Sequence, residues 1–293
     1  MSTAAREFAC ALPFGELRGL RAGNPAGRRV LALHGWLDNA ASFLPLAPQL
    51  PELDLVMIDL PGHGLSAALP PGSEYTMIGA IANVLAVADA LGWERFTLLG
   101  HSMGAGIASL VAAAEPARVE ALIAIEALGG LSERVENTAQ RLREAIAAHR
   151  ALPGKSLRVF PNLETPVRAR MMANQLDETS ARLLVERGVR AVPGGYSWGS
   201  DQRLTLPTAV RLTEAQIDVL VQAIECPTQV VYATPAQPYF PEPLRSRRAA
   251  LLRDGQVACI AGSHHLHMED PTTVAAVLRP FLGLGALPAG EPV

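Results

Sequence analysis

Four short strand-like runs separated by helical stretches constrain this chain more than any other feature. "RRVLALHGW", "LDLVMIDL", "RFTLLG" and "VEALIAIE" all lie between residues 28 and 126. The first, second and last are apolar on successive positions, the pattern of a strand buried on both faces, and "RFTLL" alternates. Between them come "ASFLPLAPQL", read as a short helix, "YTMIGAIANVLAVADALGW", with helical periodicity ending at Gly92, and "MGAGIASLVAAAEPA", stopped by Pro116. Strands alternating with helices predict an α/β fold whose sheet is mostly parallel and covered on both faces. The opening pieces "EFACAL" and "ELRGLRA" read as a hairpin added to its edge.

After Gly130 the character changes. From Leu131 to about Arg211 the chain carries helical patches ("SERVENTAQRLREAIAAH", "LDETSARLLVERGV") and a Gly-rich "VPGGYSWGSDQRL". The sheet pattern then returns with "TEAQIDVLVQAI", "TQVVYA", "PLRSRRAALLR", "QVACI" and a last helix from Pro271. The expected organisation is a core of residues 1–130 and 212–293 with a mostly helical insertion, 131–211. That insertion would cap the strand ends, where ligands bind in open α/β sheets.

Composition excludes several classes. A net charge of −3 over 293 residues sets up no field for nucleic acid or anionic membrane. Cys10, Cys226 and Cys259 are widely spaced and form no CxxC, unlike a disulfide framework or zinc site, and read as reduced thiols. "MSTAAREFACALPFGELRG" lacks the basic-then-apolar order of a secretory signal, and "GEPV" carries no lipidation or peroxisomal signal. No apolar run reaches the ~18 residues of a membrane span. The expectation is a cytoplasmic protein. Nothing in the sequence specifies an oligomeric state.

The chemistry starts at "LLGHSMGAG", where Gly100-His101-Ser102-Met103-Gly104 fits G-x-S-x-G between a strand and a helix. A tight strand-to-helix turn crowds the backbone around its central residue, so small neighbours are needed. In return the central side chain stands clear, beside free N–H groups and the positive end of a helix. Ser102 is the candidate nucleophile. A serine hydroxyl needs a base, and "AGSHHLHMEDP" follows the last strand. His264, first after the strand, is the candidate. His265 stays open as an alternative, and with His267 it otherwise reads as packing or orienting. Metal binding by the three histidines is the competing reading, but no second ligand cluster accompanies them.

In this order, "LALHGWLDNAASF", "VMIDLPGHGLS", "GHSMGAGIA", "CPTQVVYA" and "GSHHLHMEDP" resemble the α/β-hydrolase fold superfamily over nearly the whole chain. The insert, with "GGYSWGSDQRL" before "RLTEAQI", resembles its serine-hydrolase-like group, similar in layout to haloalkane dehalogenases. Those dehalogenases attack with an aspartate where this chain has Ser102, which argues against dehalogenase and epoxide hydrolase chemistry. Most of the superfamily places the triad acid after the next-to-last core strand, yet "PTQVVYATPAQPYFP" has no acid near Ala236 or Gln237. Glu126, ending "ALIAIE", occupies a location that some members of the family use instead. A carboxylate closing an apolar strand is costly to bury unless paired. The family arrangement also implies backbone N–H donors for an oxyanion from Met103 and Trp36, with His34 and His63 structural.

Two functions remain open. One is a serine hydrolase with no cofactor and no metal, cleaving a carboxylic ester or related small-molecule acyl substrate with Ser102, His264 and Glu126. The other is a small-molecule receptor or slow-turnover binding protein on the same fold. Met171, Met172, Tyr196 and Trp198 of the insert are candidates to line a substrate pocket, or to form the insert's own core. Arg168, Arg170, Arg182 and Arg187 read either as attraction for an acidic substrate or as solvated helix faces.

Overall fold

A computed structural model describes residues 4–152 and 157–285; the "GEPV" end lies outside them. The hairpin forms from β1 (Arg6–Leu12) and β2 (Gly15–Gly23). Next come β3 (Arg29–Leu33), β4 (Asp54–Ile58), helix α1 (Met77–Ala90), β5 (Phe96–His101), α2 (Met103–Ala114) and β6 (Val119–Ile125). "ASFLPLAPQL" is two 3-10 turns, Ala40–Phe43 and Ala47–Gln49, rather than one helix. Pro48 falls inside the second turn, too early for a helix of useful length.

Between β6 and the next core helix lie α3 (Thr138–Ala151), β7 (Val159–Phe160), α4 (Glu164–Asn174), α5 (Glu178–Gly188), β8 (Val189–Val192) and β9 (Gly195–Trp198). The sequence predicts a mostly helical stretch here with no buried strand. Instead a three-stranded antiparallel sheet, β7-β9-β8, sits among the helices. Its strands are two to four residues long, too short to display alternation, and Gly194 (φ 88°) turns the hairpin. The chain then returns through α6 (Glu214–Gln222), β10 (Thr228–Thr234), α7 (Leu244–Ala249), β11 (Gly255–Ala261), α8 (Leu266–Glu269) and α9 (Pro271–Phe281). A reciprocal capping box of Thr213 and Gln216 starts α6.

The main sheet has the order β1-β2-β4-β3-β5-β6-β10-β11. From β4 to β11 it is parallel, and β2 runs antiparallel to both its neighbours. Successive strand residues feed opposite faces. Leu31, Leu33, Leu98, Leu122 and Ala124 pack under α1, α2 and α6, whereas Ala32, Leu99, Ile123, Ile125 and Val231 face the 3-10 turns and α9.

From β3 the chain moves outward to β4, then crosses back to β5 on the other side. The crevice at the carboxyl ends of β3 and β5 is therefore a topological switch point, where such sheets bind ligands. Leu33 pairs with Gly100, His101 with Ile125, and Ile125 with Val231. The residues that follow these pairs, Ser102 and Glu126 among them, emerge side by side.

Candidate active site

Ser102 has φ 52° and ψ −116°, strained backbone for a residue with a Cβ. Its neighbours are forced to be small. A Cβ on Gly104 would lie 1.9 Å from the Leu33 carbonyl oxygen, and one on Gly100 2.4 Å from the Ala105 Cα. The Ser102 N–H donates to the Ile125 carbonyl (2.8 Å), pinning the turn to β6, and α2 starts at Met103. Met103 N–H is thus among the first, intrahelically unpaired donors of a helix.

Glu126 follows directly on β6 and also takes a positive φ, 61°. Its carboxylate is buried. Oε1 accepts from Ala233 N–H on β10 at 2.5 Å and lies 4.0 Å from the Arg245 guanidinium. Oε2 receives His264 Nδ1–H at 3.0 Å. Burial lowers the His264 pKa, and the Glu126 hydrogen bond opposes that by favouring the imidazolium. His264 is the histidine paired with Glu126, whereas His265 turns its Nε2 to Asp38 (3.2 Å) and is 2% exposed.

With Nδ1 donating, Nε2 of a neutral His264 ring is an acceptor. The hydroxyl of Tyr239, which is half exposed, lies 3.2 Å from it and 3.3 Å from Nδ1. Among the described residues Ser102 Oγ makes no hydrogen bond to that nitrogen, so the structure joins two of the three expected triad members. Burial and the nearby Glu126 charge push Tyr239 up to about 12, leaving it a neutral donor at ordinary pH. Tyr239 was missed in the sequence. It lies in the very segment searched for an acid, and a search for carboxylates passes over a phenol.

Trp36 follows the His-Gly end of β3; its indole N–H reaches the Leu204 carbonyl (2.8 Å) and its side chain is largely exposed. His34 is structural, as expected: Nε2 accepts from Leu60 N–H (3.0 Å) and Nδ1 bonds the Gly35 carbonyl (2.7 Å). His63 bonds the Pro61 carbonyl (3.1 Å) and packs edge-on against His34.

Behind the site lies a cluster that the sequence did not announce. Buried Asp38 takes Arg170 of α4 on Oδ1, and His265 on Oδ2, which also lies 3.6 Å from His101 Nδ1. Burial would raise the Asp38 pKa, but His265 and Arg170 hold it well below the carboxylate range. Asp38, His101 and His265 converge closely enough to bind a metal ion. Arg170 already supplies a cation to the other oxygen of that carboxylate.

Of the residues expected to line a pocket, Met172 is 83% exposed. Met171 and Trp198 pack on the insert's own apolar cluster with Val167, Leu184 and Val185. Trp198 also lines a groove of about 830 Å³ with Gly62, Ser66, Val159, Arg190 and Arg203. Tyr196 sits half-buried in β9. The arginines are mostly paired rather than free for an acidic substrate: Arg170 with Asp38, Arg182 with Glu164 and Glu178, Arg187 with Asp59 and Glu7. Arg168 is exposed. Among the described residues no helix is long and apolar enough to cross a membrane.

Comparison with known proteins places this geometry in context. The alpha/beta hydrolase fold family matches residues 28–189. A serine hydrolase-like protein of Danio rerio is 32% identical, covering 96% of this chain and 90% of its own. Lipase LipV of Mycobacterium tuberculosis is 28% identical over 92% of this chain and 98% of its own. The crystal structure of a hypothetical protein from Pseudomonas aeruginosa PAO1 superimposes with a TM-score of 0.87 at 41% identity, covering 94% of this chain and 98% of that one.

Proposed function

Since the chain belongs to the α/β-hydrolase family, among its serine hydrolase-like members, we propose that it cleaves a carboxylic ester or related acyl substrate through an acyl-enzyme on Ser102. The observation that carries the reading is the buried Glu126 carboxylate on His264 Nδ1, at 3.0 Å. A carboxylate there fixes the imidazole tautomer that leaves Nε2 free to accept a proton, and stabilises the imidazolium once it forms. The strained Ser102 turn supports the same reading, as does similarity to a lipase.

In the reaction proposed, the His264 ring exchanges the Tyr239 hydroxyl for Ser102 Oγ as substrate enters; catalytic hydrogen bonds are often loose without substrate. Ser102 Oγ attacks the acyl carbonyl while its proton passes to Nε2. The tetrahedral oxyanion accepts hydrogen bonds from the Met103 and Trp36 N–H groups. Collapse expels the alcohol, which takes the proton from Nε2 and leaves the acyl group on Ser102. Water then attacks, His264 taking its proton and returning it to Ser102 as the acid departs. Residues 131–211 serve as the cap over this crevice.

Steady-state hydrolysis of p-nitrophenyl esters of graded acyl length, with Ser102→Ala beside wild type, tests the proposal. The expected result is turnover that falls at least about 10³-fold in the variant. Ester turnover independent of Ser102 would overturn it. A single burst without cycling would favour the slow-turnover binding protein.

A further inference from the structure

One buried carboxylate, Asp38, reaches the residue after His264, the residue before Ser102 and the inserted segment as well. Asp38 lies two residues after Trp36, on the loop leaving β3. Its Oδ2 accepts from Nε2–H of His265, the residue after His264, and faces Nδ1 of His101, the residue before Ser102, across 3.6 Å. His101 Nε2–H in turn donates to the backbone carbonyl of His264 at 2.8 Å. A carbonyl only accepts, so that bond fixes the proton of His101 on Nε2. The His101 ring also packs against the rings of His264, His265 and His267, with centroids 4.8, 4.9 and 4.1 Å away.

Room for this assembly comes from Gly35, where a Cβ would stand 2.7 Å from Asp38 Oδ2 and 3.0 Å from His101 Nδ1. The fourth partner comes from the insert. Arg170 of α4, with a side chain 12% exposed, bonds Asp38 Oδ1. Asp38 and Arg170 together line a small cavity of about 20 Å³ at this junction, with Leu184 and Trp198 of the insert.

We infer that Asp38 is a positioning residue, and Arg170 its latch: their ion pair transmits the seating of the inserted segment to the main chain of His264, and so sets where the imidazole points. The inference rests on the reading of Ser102, His264 and Glu126 as the reacting groups. Asp38 touches none of the reacting atoms. It acts through His265, which follows His264 and donates to Asp38, while the His101 Nε2–H bond holds the His264 carbonyl. Displacing a catalytic group by about 1 Å costs on the order of 10²-fold in rate. Loss of the pair therefore lowers kcat far more than it changes KM.

The test compares Asp38→Asn, Arg170→Gln, Arg170→Lys and the exposed control Arg168→Gln with the wild-type full-length protein. Three readouts are taken: ester kinetics, the rate of Ser102 labelling by a fluorophosphonate, and the NMR signal of the His264 Nδ1–H in protein carrying ¹⁵N-histidine. Arg170→Gln and Asp38→Asn are expected to lower kcat and the labelling rate about 30- to 100-fold with KM within about threefold. The same variants should shift or broaden the His264 resonance. Arg170→Lys should recover most of the rate, and Arg168→Gln should match wild type throughout.

Wild-type kcat, labelling and His264 resonance in a folded Arg170→Gln would overturn the inference. If Asp38→Asn fails to fold, Arg170→Gln decides alone. If wild-type protein neither turns over esters nor labels at Ser102, the proposed function fails. The His264 resonance then still decides whether Arg170 positions that ring.

Discussion

Ser102, Glu126 and Leu37 share a backbone region that residues with a Cβ seldom adopt, with φ of 52°, 61° and 59°. Ser102 and Glu126 follow directly on β5 and β6, where the chain must turn sharply to lift a side chain out of the sheet, and Leu37 lies on the loop after β3. Glu126 is the most consequential of them, because its carboxylate is both buried and committed to His264. Glu126→Gln keeps the shape but removes the charge that opposes burial in setting the His264 pKa. The base must be neutral to accept a proton, so activity rises with pH through that pKa, with a midpoint below 6.5. In Glu126→Gln the midpoint moves lower still, while the plateau of kcat falls by about 10²–10⁴-fold. A pH profile of kcat/KM checks both parts, and a midpoint that rises on substitution would contradict the pairing. Tyr239→Phe works in the opposite direction. Its hydroxyl lies almost equally near both ring nitrogens and crowds the approach to Nε2, so removing it should speed fluorophosphonate labelling of Ser102 about two- to tenfold, the equivalent of one contact of about 0.5–1.5 kcal/mol. Slower labelling would mean that the hydroxyl assists the reaction.

The elements carrying these residues were legible to very different degrees. Strands β3, β4 and β6 announce themselves because a strand covered on both faces must be apolar at every position, and "VLAL", "LVMI" and "LIAI" are. The elbow was legible because its chemistry is local: the clashes that exclude a side chain at Gly100 and Gly104 come from main chain within the turn and from β3 beside it. Glu126 could be reached by noticing a charge at the end of an apolar run. The Asp38 cluster could not, since its members come from positions 38, 101, 170 and 265, and no spacing along the chain signals their meeting. The sheet β7-β9-β8 was hidden by brevity. Packing of the elbow makes a direct prediction. Gly104→Ala would drive a Cβ into the Leu33 carbonyl, a main-chain atom that cannot rotate away. It should destabilise by about 3 kcal/mol or more, read as a lower urea midpoint. A midpoint equal to wild type would mean that α2 does not press on β3 as described.

Across the whole molecule, histidines are concentrated where water is absent. His34, His63, His101, His265 and His267 are each at most 2% exposed, and they sit together beneath the crevice. Burial disfavours the imidazolium, lowering His34 to about 4 and His63 to about 3, and it moves His101, His264 and His267 in the same direction. The unfolded chain has no such constraint and takes up protons near pH 6.5. Below that pH the unfolded state binds more protons than the folded one, so stability is full above about 6.5 and falls as the pH drops. The loss continues through the folded values near 4 and 3. Each such histidine removes about 1.4 kcal/mol per pH unit across its window, so His34 and His63 alone cost on the order of 5 kcal/mol between pH 6.5 and 4.5. That window lies above the range in which ordinary carboxylates titrate, which separates the histidine effect from general acid unfolding. Urea midpoints at constant ionic strength should therefore be level above pH 7 and decline steeply from pH 6.5 to 4.5. A level profile down to pH 5 would mean that these rings accept protons without unfolding. The crevice floor would then be wet, and the dry, fixed imidazole framework that the proposed chemistry stands on would be lost with it.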